Sequence, residues 1–268
     1  MKIIIVGCGW LGQQLAPVLS AAGYSLVATR RTAVACDTLS PAVDCQVLDL
    51  SQPVEMTAQL KQLFAGAVVI CAIAPGRQPG DNQYVESSQR LAKLMQAAKS
   101  RALIHFSSTG VYQGLDGVVN EATPLQLSLP RVQLLVAAEQ ALAQFTPCIT
   151  LRLAGLMGPG RHPGRFTAGK TLADPKAPIN MVHSADICRA VLCLLAQSSL
   201  SSGVFNLSCP QPVSRQVFYQ RAAELAGTVA RFSEPSTHLR QVDPQRFIRQ
   251  FAFRYQYASA VEALAHCG

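Results

Sequence analysis

The chain has 268 residues, enough for one large α/β domain or for a nucleotide-binding core carrying a smaller second lobe. Hydrophobic residues make up 49% and charged residues 14%, which excludes extended disorder, and apolar runs such as 65–74 and 190–196 are too short to cross a bilayer. The net charge is +8, but the basic residues are dispersed and no basic tract is interleaved with aromatics; this argues against a nucleic-acid or membrane partner and for a small anionic ligand.

Lys2–Val6 is apolar and β-branched, the signature of a strand buried on both faces. It is too short for the apolar segment of a secretory signal and runs straight into glycines, so a cytoplasmic protein is expected. A helix over 13–22 follows, despite Pro17, and ends at Gly23. Strands are predicted at 25–28 and 45–48, then a helix at 54–63, an apolar strand at 67–73 and a crossover helix at 82–100. Strand 102–106, helix 130–145 opened by Pro130, and strand 148–153 complete the alternation. Residues 155–176 are rich in Gly, Pro and Arg and read as loop; a helix at 184–196, a strand at 204–207 and a helix at 213–226 follow. The expectation is an α/β chain of Rossmann type: a doubly wound parallel sheet in a core spanning 1–155, with strands returning from about 180–208, and a small α/β substrate lobe over most of 156–268.

Nine cysteines are scattered along the chain with no C-x-x-C and no Cys/His cluster. Reduced thiols used as small core residues are expected, with neither a disulfide framework nor a metal site.

Gly7-Cys8-Gly9-Trp10-Leu11-Gly12 is a G-x-G-x-x-G that follows a buried strand and opens a helix, the context a dinucleotide fingerprint requires. The first Gly permits the turn, the second lets backbone amides approach a pyrophosphate, and the third allows close helix–strand packing. Some twenty residues on, where an NAD-preferring site offers Asp or Glu to the ribose, this chain has Thr29-Arg30-Arg31. Two guanidiniums can pair with a 2′-phosphate, so NADP(H) is expected over NAD(H); a solvated basic turn is the alternative. Asp49 in Leu48-Asp49-Leu50 can meet the adenine edge or cap the strand end, and Leu50 and Ala72, at the ends of the third and fourth strands, complete the expected cofactor contacts.

Four further segments resemble, in order, the extended short-chain dehydrogenases/reductases of the NAD(P)-dependent epimerase/dehydratase family. Phe106-Ser107-Ser108-Thr109-Gly110-Val111-Tyr112 is similar to their S-S-x-x-V-Y segment, and 152–160 to their R-x-x-x-x-Y-G-P-G. Residues 180–186 resemble N-x-x-H-x-x-D, and Phe205-Asn206-Leu207 the later Y/F-N-L/V strand. The resemblance implies nucleotide-sugar epimerases and dehydratases as functional relatives, and a homodimer through long helices, for which the alanine-rich stretch 130–145 is the local support.

The family's chemistry uses a Ser or Thr and a Tyr-x-x-x-Lys, whose i,i+4 spacing sets both groups on one helix face. Ser108 matches the first position; its alternative is a strand-end hydroxyl bonded to backbone. Counting from Glu139, which resembles the family's helix glutamate, Arg131 stands at the Tyr position and Leu135 at the Lys position, and no Tyr-x-x-x-Lys occurs between 113 and 150. Arginine stays protonated, so Arg131 can bind an anion but exchanges no proton. Tyr112 is then the candidate proton donor beside Ser108, although in the family this aromatic is a packing or substrate contact. Arg131, Arg161, His162 and Lys170 are the candidate contacts to an anionic substrate; for the loop 159–165 the alternative is a solvated surface, and for His183 the resemblance implies a supporting role. Two functions remain open: an epimerase/dehydratase-like oxidoreductase acting on a small anionic substrate of nucleotide-sugar type, and a catalytically silent NADP(H)-binding sensor.

Overall fold

Lys2–Val6 (β1) forms the middle of the sheet because its apolar side chains can be covered on both faces; Ile3, Ile4 and Ile5 are fully buried. It pairs in parallel with Ser25–Arg30 (β2) on one side, and Asp44–Val47 (β3) then forms the exposed edge. On the other side it pairs with Val68–Cys71 (β4), which pairs in turn with Ala102–Ser108 (β5), again in parallel. Strands Cys148–Leu153 and Gly203–Leu207 extend this side, giving a seven-stranded parallel sheet whose order reverses at β1, where β2 and β4 diverge. That reversal is the switch point at which open α/β sheets bind ligands. The computed structural model describes residues 1–76, 83–233 and 239–268; Asn82, the first residue of the predicted crossover helix, lies outside them.

Contacts divide the chain into two units: Met1–Val111, Leu127–Leu151 and Leu195–Val204 in the first, and Tyr112–Gln126, Arg152–Leu194 and Phe205–Gly268 in the second. The sequence reading places Tyr112–Gln126 in the core; it groups with the second unit. The first unit packs Val6, Val69, Leu91, Met95 and Leu142 into one apolar cluster. Its longer helices are Ala58–Phe64, Gln83–Ala98, Pro130–Leu142 and Trp10–Ala21 (α1), the last of which runs through Pro17. Helix Ala58–Phe64 starts later than predicted because the Thr57 hydroxyl accepts from the Leu60 amide and fixes the first turn there.

The second unit holds its own cluster around Met157, Phe218, Tyr257 and Leu264. Here the expectation that 155–176 is loop is corrected. Gly155–Met157 pairs in parallel with Met181–His183, Thr171–Leu172 pairs with Arg231–Phe232, and Pro163–Thr167 is a short helix. Strands of two or three residues are too short to show an alternating pattern in sequence.

The thiols need a second correction. Seven cysteines are free, six of them buried, but Cys36 and Cys45 form a disulfide with Cα atoms 5.6 Å apart. Thr32 caps a four-residue helix, Ala33–Cys36, and the chain turns back into β3, which carries Cys45 as its second residue. The return of the chain, not the spacing of the cysteines, brings the pair together.

No helix among the described residues is long and apolar enough to cross a membrane.

Candidate functional site

A cleft of about 610 Å³ opens in the first unit above the ends of β1, β2 and β4. Its floor is the glycine turn. Gly7 has φ +79, and a Cβ on it would lie 3.0–3.1 Å from the Ile73 side chain and backbone, so only glycine fits. The turn is pinned by the Cys8 amide donating to the Thr29 carbonyl at 2.9 Å and the Gly7 amide donating to the Thr29 hydroxyl at 3.4 Å. Gly9 differs: a Cβ there would meet nothing nearer than 3.8 Å and would stand in the cleft itself. Gly9 also caps α1 without a side-chain acceptor, so the partial positive charge of the helix terminus is presented to a ligand. At Gly12 a Cβ would lie 2.9 Å from the Cys8 sulfur and 3.2 Å from Ile5, so glycine here lets α1 pack closely on β1.

The motif therefore splits by orientation. Gly7 and Gly9 line the cleft, whereas Cys8, Leu11 and Gly12 face inward and Thr29 is a buried pin for the turn. Trp10 opens α1, half-exposed, outside the cleft lining. Arg30 and Arg31 both line the cleft, with the Arg30 guanidinium donating to the Cys8 carbonyl across the top of the turn. Leu50 and Ala72 line it too. Asp49 does too, and its carboxylate accepts from the Ser51 hydroxyl at 2.7 Å and the Ser51 amide at 2.9 Å. Those bonds, the hydroxyl first, hold the Asp49 carboxyl below its ordinary range, so it is an acceptor at neutral pH. The strand-end cap is thus realised. Arg90 adds a clamp, donating to the Leu50 and Ser51 carbonyls at 2.8 and 3.0 Å.

Sequence reasoning missed Thr32, Ser51, Tyr84 and Ser87 on the cleft wall. Tyr84 and Ser87 come from helix Gln83–Ala98, which no local motif connects with the glycine turn. The Tyr84 hydroxyl sits 3.1 Å from His105 Nε2. His105 is fully buried, and burial pushes its pKa from 6.5 down to about 4. Unfolding therefore takes up a proton between those limits, and stability falls as pH drops from 6.5 to 4, by on the order of 2–3 kcal/mol from this residue. Buried Asp186, raised from 3.8 to about 6, contributes the opposite slope over that range. Denaturation midpoints of wild type and His105→Phe across pH 4–6.5 isolate the histidine; the variant should lose less stability in acid, and equal slopes would refute this assignment.

Ser108 ends β5, and its hydroxyl accepts from the Gly110 amide at 3.0 Å, the strand-end role weighed above. Behind it, the Ser107 hydroxyl donates to buried Glu139 at 2.5 Å, and Leu135 is buried against Gly110. Arg131 is half-exposed and donates to the Gly76 carbonyl at 3.1 Å, which brings a permanent cation to a residue on the cleft rim.

In the second unit, Tyr112 is fully buried, and this corrects its candidacy as proton donor. Its hydroxyl donates to Asn206 Oδ1 at 2.9 Å and accepts from Arg152 at 3.0 Å, while burial raises its pKa. Replacing Tyr112 by Phe should cost about 1–3 kcal/mol of stability and leave dinucleotide affinity unchanged; lost affinity at an unchanged melting temperature would return Tyr112 to the ligand contacts.

Of the other substrate candidates, His162 is buried and its Nδ1 accepts from the Gly164 amide at 3.1 Å, capping helix Pro163–Thr167. Burial first, then Arg165, lowers its pKa, so it is neutral at pH 7 and no anion-binding cation. Arg161 donates to the Leu156 carbonyl at 3.1 Å, and Lys170 is exposed. His183 is buried, bonds the His266 carbonyl at 3.1 Å and meets Tyr257 edge-on, a supporting place in the second unit's core.

The sequence from residue 3 to 208 matches the model of the NAD dependent epimerase/dehydratase family. Protein YeeZ of Escherichia coli K12 is 33% identical over 264 residues, covering 96% of both chains. A structure from Methylobacillus flagellatus, provisionally described as an NAD-dependent epimerase/dehydratase, superposes with a TM-score of 0.81 at 22% identity, covering 99% of this chain and 97% of that one. The UDP-glucose 4-epimerase of Thermus thermophilus in complex with NAD gives 0.78 at 16% identity, covering 100% and 98%.

Proposed function

The chain belongs to the NAD dependent epimerase/dehydratase family, and from that membership we propose that it binds NADP(H), in preference to NAD(H), in the cleft of its first unit. The observation that carries the preference is that Arg30 and Arg31 line the same cleft as the open Gly9 turn, while the carboxylate on that lining, Asp49, is engaged by Ser51. The fit to a dinucleotide is steric as well as electrostatic: a Cβ on Gly9 would occupy the place a pyrophosphate needs, at the N-terminus of α1. A bound nicotinamide supplies the hydride acceptor or donor. The chain's own residues then bind and orient. Ser108 offers a hydroxyl at the end of β5, and Arg131 holds an anionic or polarised oxygen without exchanging a proton. The second unit by itself offers Arg161 and Lys170 to substrate phosphates.

We read the activity as an epimerase/dehydratase-like oxidoreduction on a small anionic substrate, with nucleotide sugars as the class. This rests on the family and on the cationic residues just named. Incubation with a panel of nucleotide sugars, followed by the near-ultraviolet absorbance of reduced nicotinamide and by product analysis, tests it. Turnover of one member is expected; inertness of the loaded protein across the panel would overturn the activity.

A second reading, a catalytically silent NADP(H) sensor, is favoured by one set of observations. The Tyr112 hydroxyl is committed to Asn206 and Arg152, Leu135 is buried and apolar, and Arg131 stays charged. Under that reading a protein partner binds only one cofactor state, and a partner indifferent to cofactor would exclude it.

A further inference from the structure

The Cys36–Cys45 disulfide lies beside the cationic end of the cleft. Thr32 and Ala35, on one wall with Arg31, belong to the segment that ends at Cys36. Leu48, Asp49 and Ser51, which also line the cleft, continue the strand that contains Cys45, and the Leu48 amide donates to the Arg30 carbonyl at 2.8 Å. The disulfide thus ties the segment that follows Arg31 to the edge strand beside Arg30.

What else holds the first wall is slight. Helix Ala33–Cys36 has no buried residue, and its side-chain anchors are local: the Thr32 hydroxyl accepts from the Ala35 amide at 3.2 Å and the Thr38 hydroxyl donates to the Ala35 carbonyl at 2.7 Å. β3 is the sheet edge, with Asp44, Gln46 and Val47 exposed. β3 is held by its parallel ladder to β2, whereas the short helix buries none of its own residues, so the S–S bond adds a tie between that helix and a fixed strand. The pair is also reachable. Cys36 and Cys45 are both half-exposed, whereas six of the seven free thiols are buried. A soluble thiol reagent therefore meets this pair before the core cysteines.

We propose that the Cys36–Cys45 pair is a redox switch on the affinity of the cleft for a 2′-phosphorylated dinucleotide. The inference rests on the cofactor reading above. In the reducing direction a dithiol attacks one sulfur, the S–S bond breaks through a mixed disulfide, and two electrons and two protons end on Cys36 and Cys45 as thiols. The dithiol leaves as its own disulfide. The freed segment then has to be ordered again whenever the cofactor binds, and that ordering weakens binding of the ligand that touches it. NADH, which carries no 2′-phosphate, makes less use of this wall and feels the change less.

The test compares NADPH and NADH titrations of the full chain in two states, with the pair verified by mass as closed or as reduced by a small dithiol. Reduction should weaken NADPH binding about three- to tenfold and NADH binding less than about twofold. The Cys36→Ser/Cys45→Ser variant should bind like the reduced protein and ignore dithiol. Cys193→Ser, which removes the half-buried free thiol, should keep the response. Equal NADPH affinity in the two verified states overturns the switch while leaving the cofactor reading intact, as does a dithiol response that survives in the double variant. Failure of both states to bind either dinucleotide overturns the cofactor reading and the switch with it.

Discussion

Gly7→Val is expected to abolish dinucleotide binding and to destabilise the first unit by about 2–4 kcal/mol, whereas Gly9→Val should abolish binding with little change in stability. Both residues belong to one turn, yet their constraints differ. Gly7 holds φ +79, a conformation that a β-branched residue resists, and its absent Cβ is pressed by Ile73 at 3.0–3.1 Å. Part of the contact is backbone of the segment following β4, so relief requires moving the chain. Gly9 has φ −83 and ψ −152, extended backbone open to any residue, and space for a side chain. That space is the cleft, so a Val there displaces ligand and not protein. Thermal denaturation and NADPH titration of the two variants separate the cases. A stable Gly7→Val protein that still binds NADPH would show that the turn is not the phosphate cradle.

Much of this site is legible in sequence because the relevant signals are local. A buried strand followed by Gly7-Cys8-Gly9 fixes where the chain must turn, and the strand ending in Arg30 brings its guanidinium back to the Cys8 carbonyl. That the strands run parallel follows from alternating apolar strands and helices. What is not legible is which way each motif residue faces. Cys8 and Leu11 belong to the fingerprint by spacing, but α1 turns them into the core. Tyr84 and Ser87 reach the cleft through a crossover, and Cys36 meets Cys45 through a chain reversal, neither of which leaves a spacing signature. Tyr112 illustrates the opposite error. A tyrosine at the end of a strand segment reads as an available acid, but its hydroxyl is committed to Asn206 and Arg152, residues 94 and 40 positions away in sequence.

In the proposed function, Arg30 and Arg31 at the end of β2 choose the cofactor. The Arg30→Ala/Arg31→Ala variant removes both guanidiniums, and with them the Arg30 bond to the Cys8 carbonyl, while the Thr29 bonds that pin the glycine turn remain. Charge-assisted hydrogen bonds contribute about 1.5–3 kcal/mol each when well placed, but Arg31 is exposed and its share is screened. The net expectation is a loss of about 1.4–2.7 kcal/mol in NADPH binding, a ten- to hundredfold weaker Kd. NADH has no phosphate at that position and should change by less than about threefold. The most direct measurement is therefore a calorimetric titration of wild type and double variant with NADPH and NADH at one ionic strength. Tighter binding of NADPH than NADH by the wild type, with that preference erased in the variant, is the predicted result. Equal affinity of wild type and variant for NADPH would rule out the two arginines as the selecting groups, as would a wild type that prefers NADH.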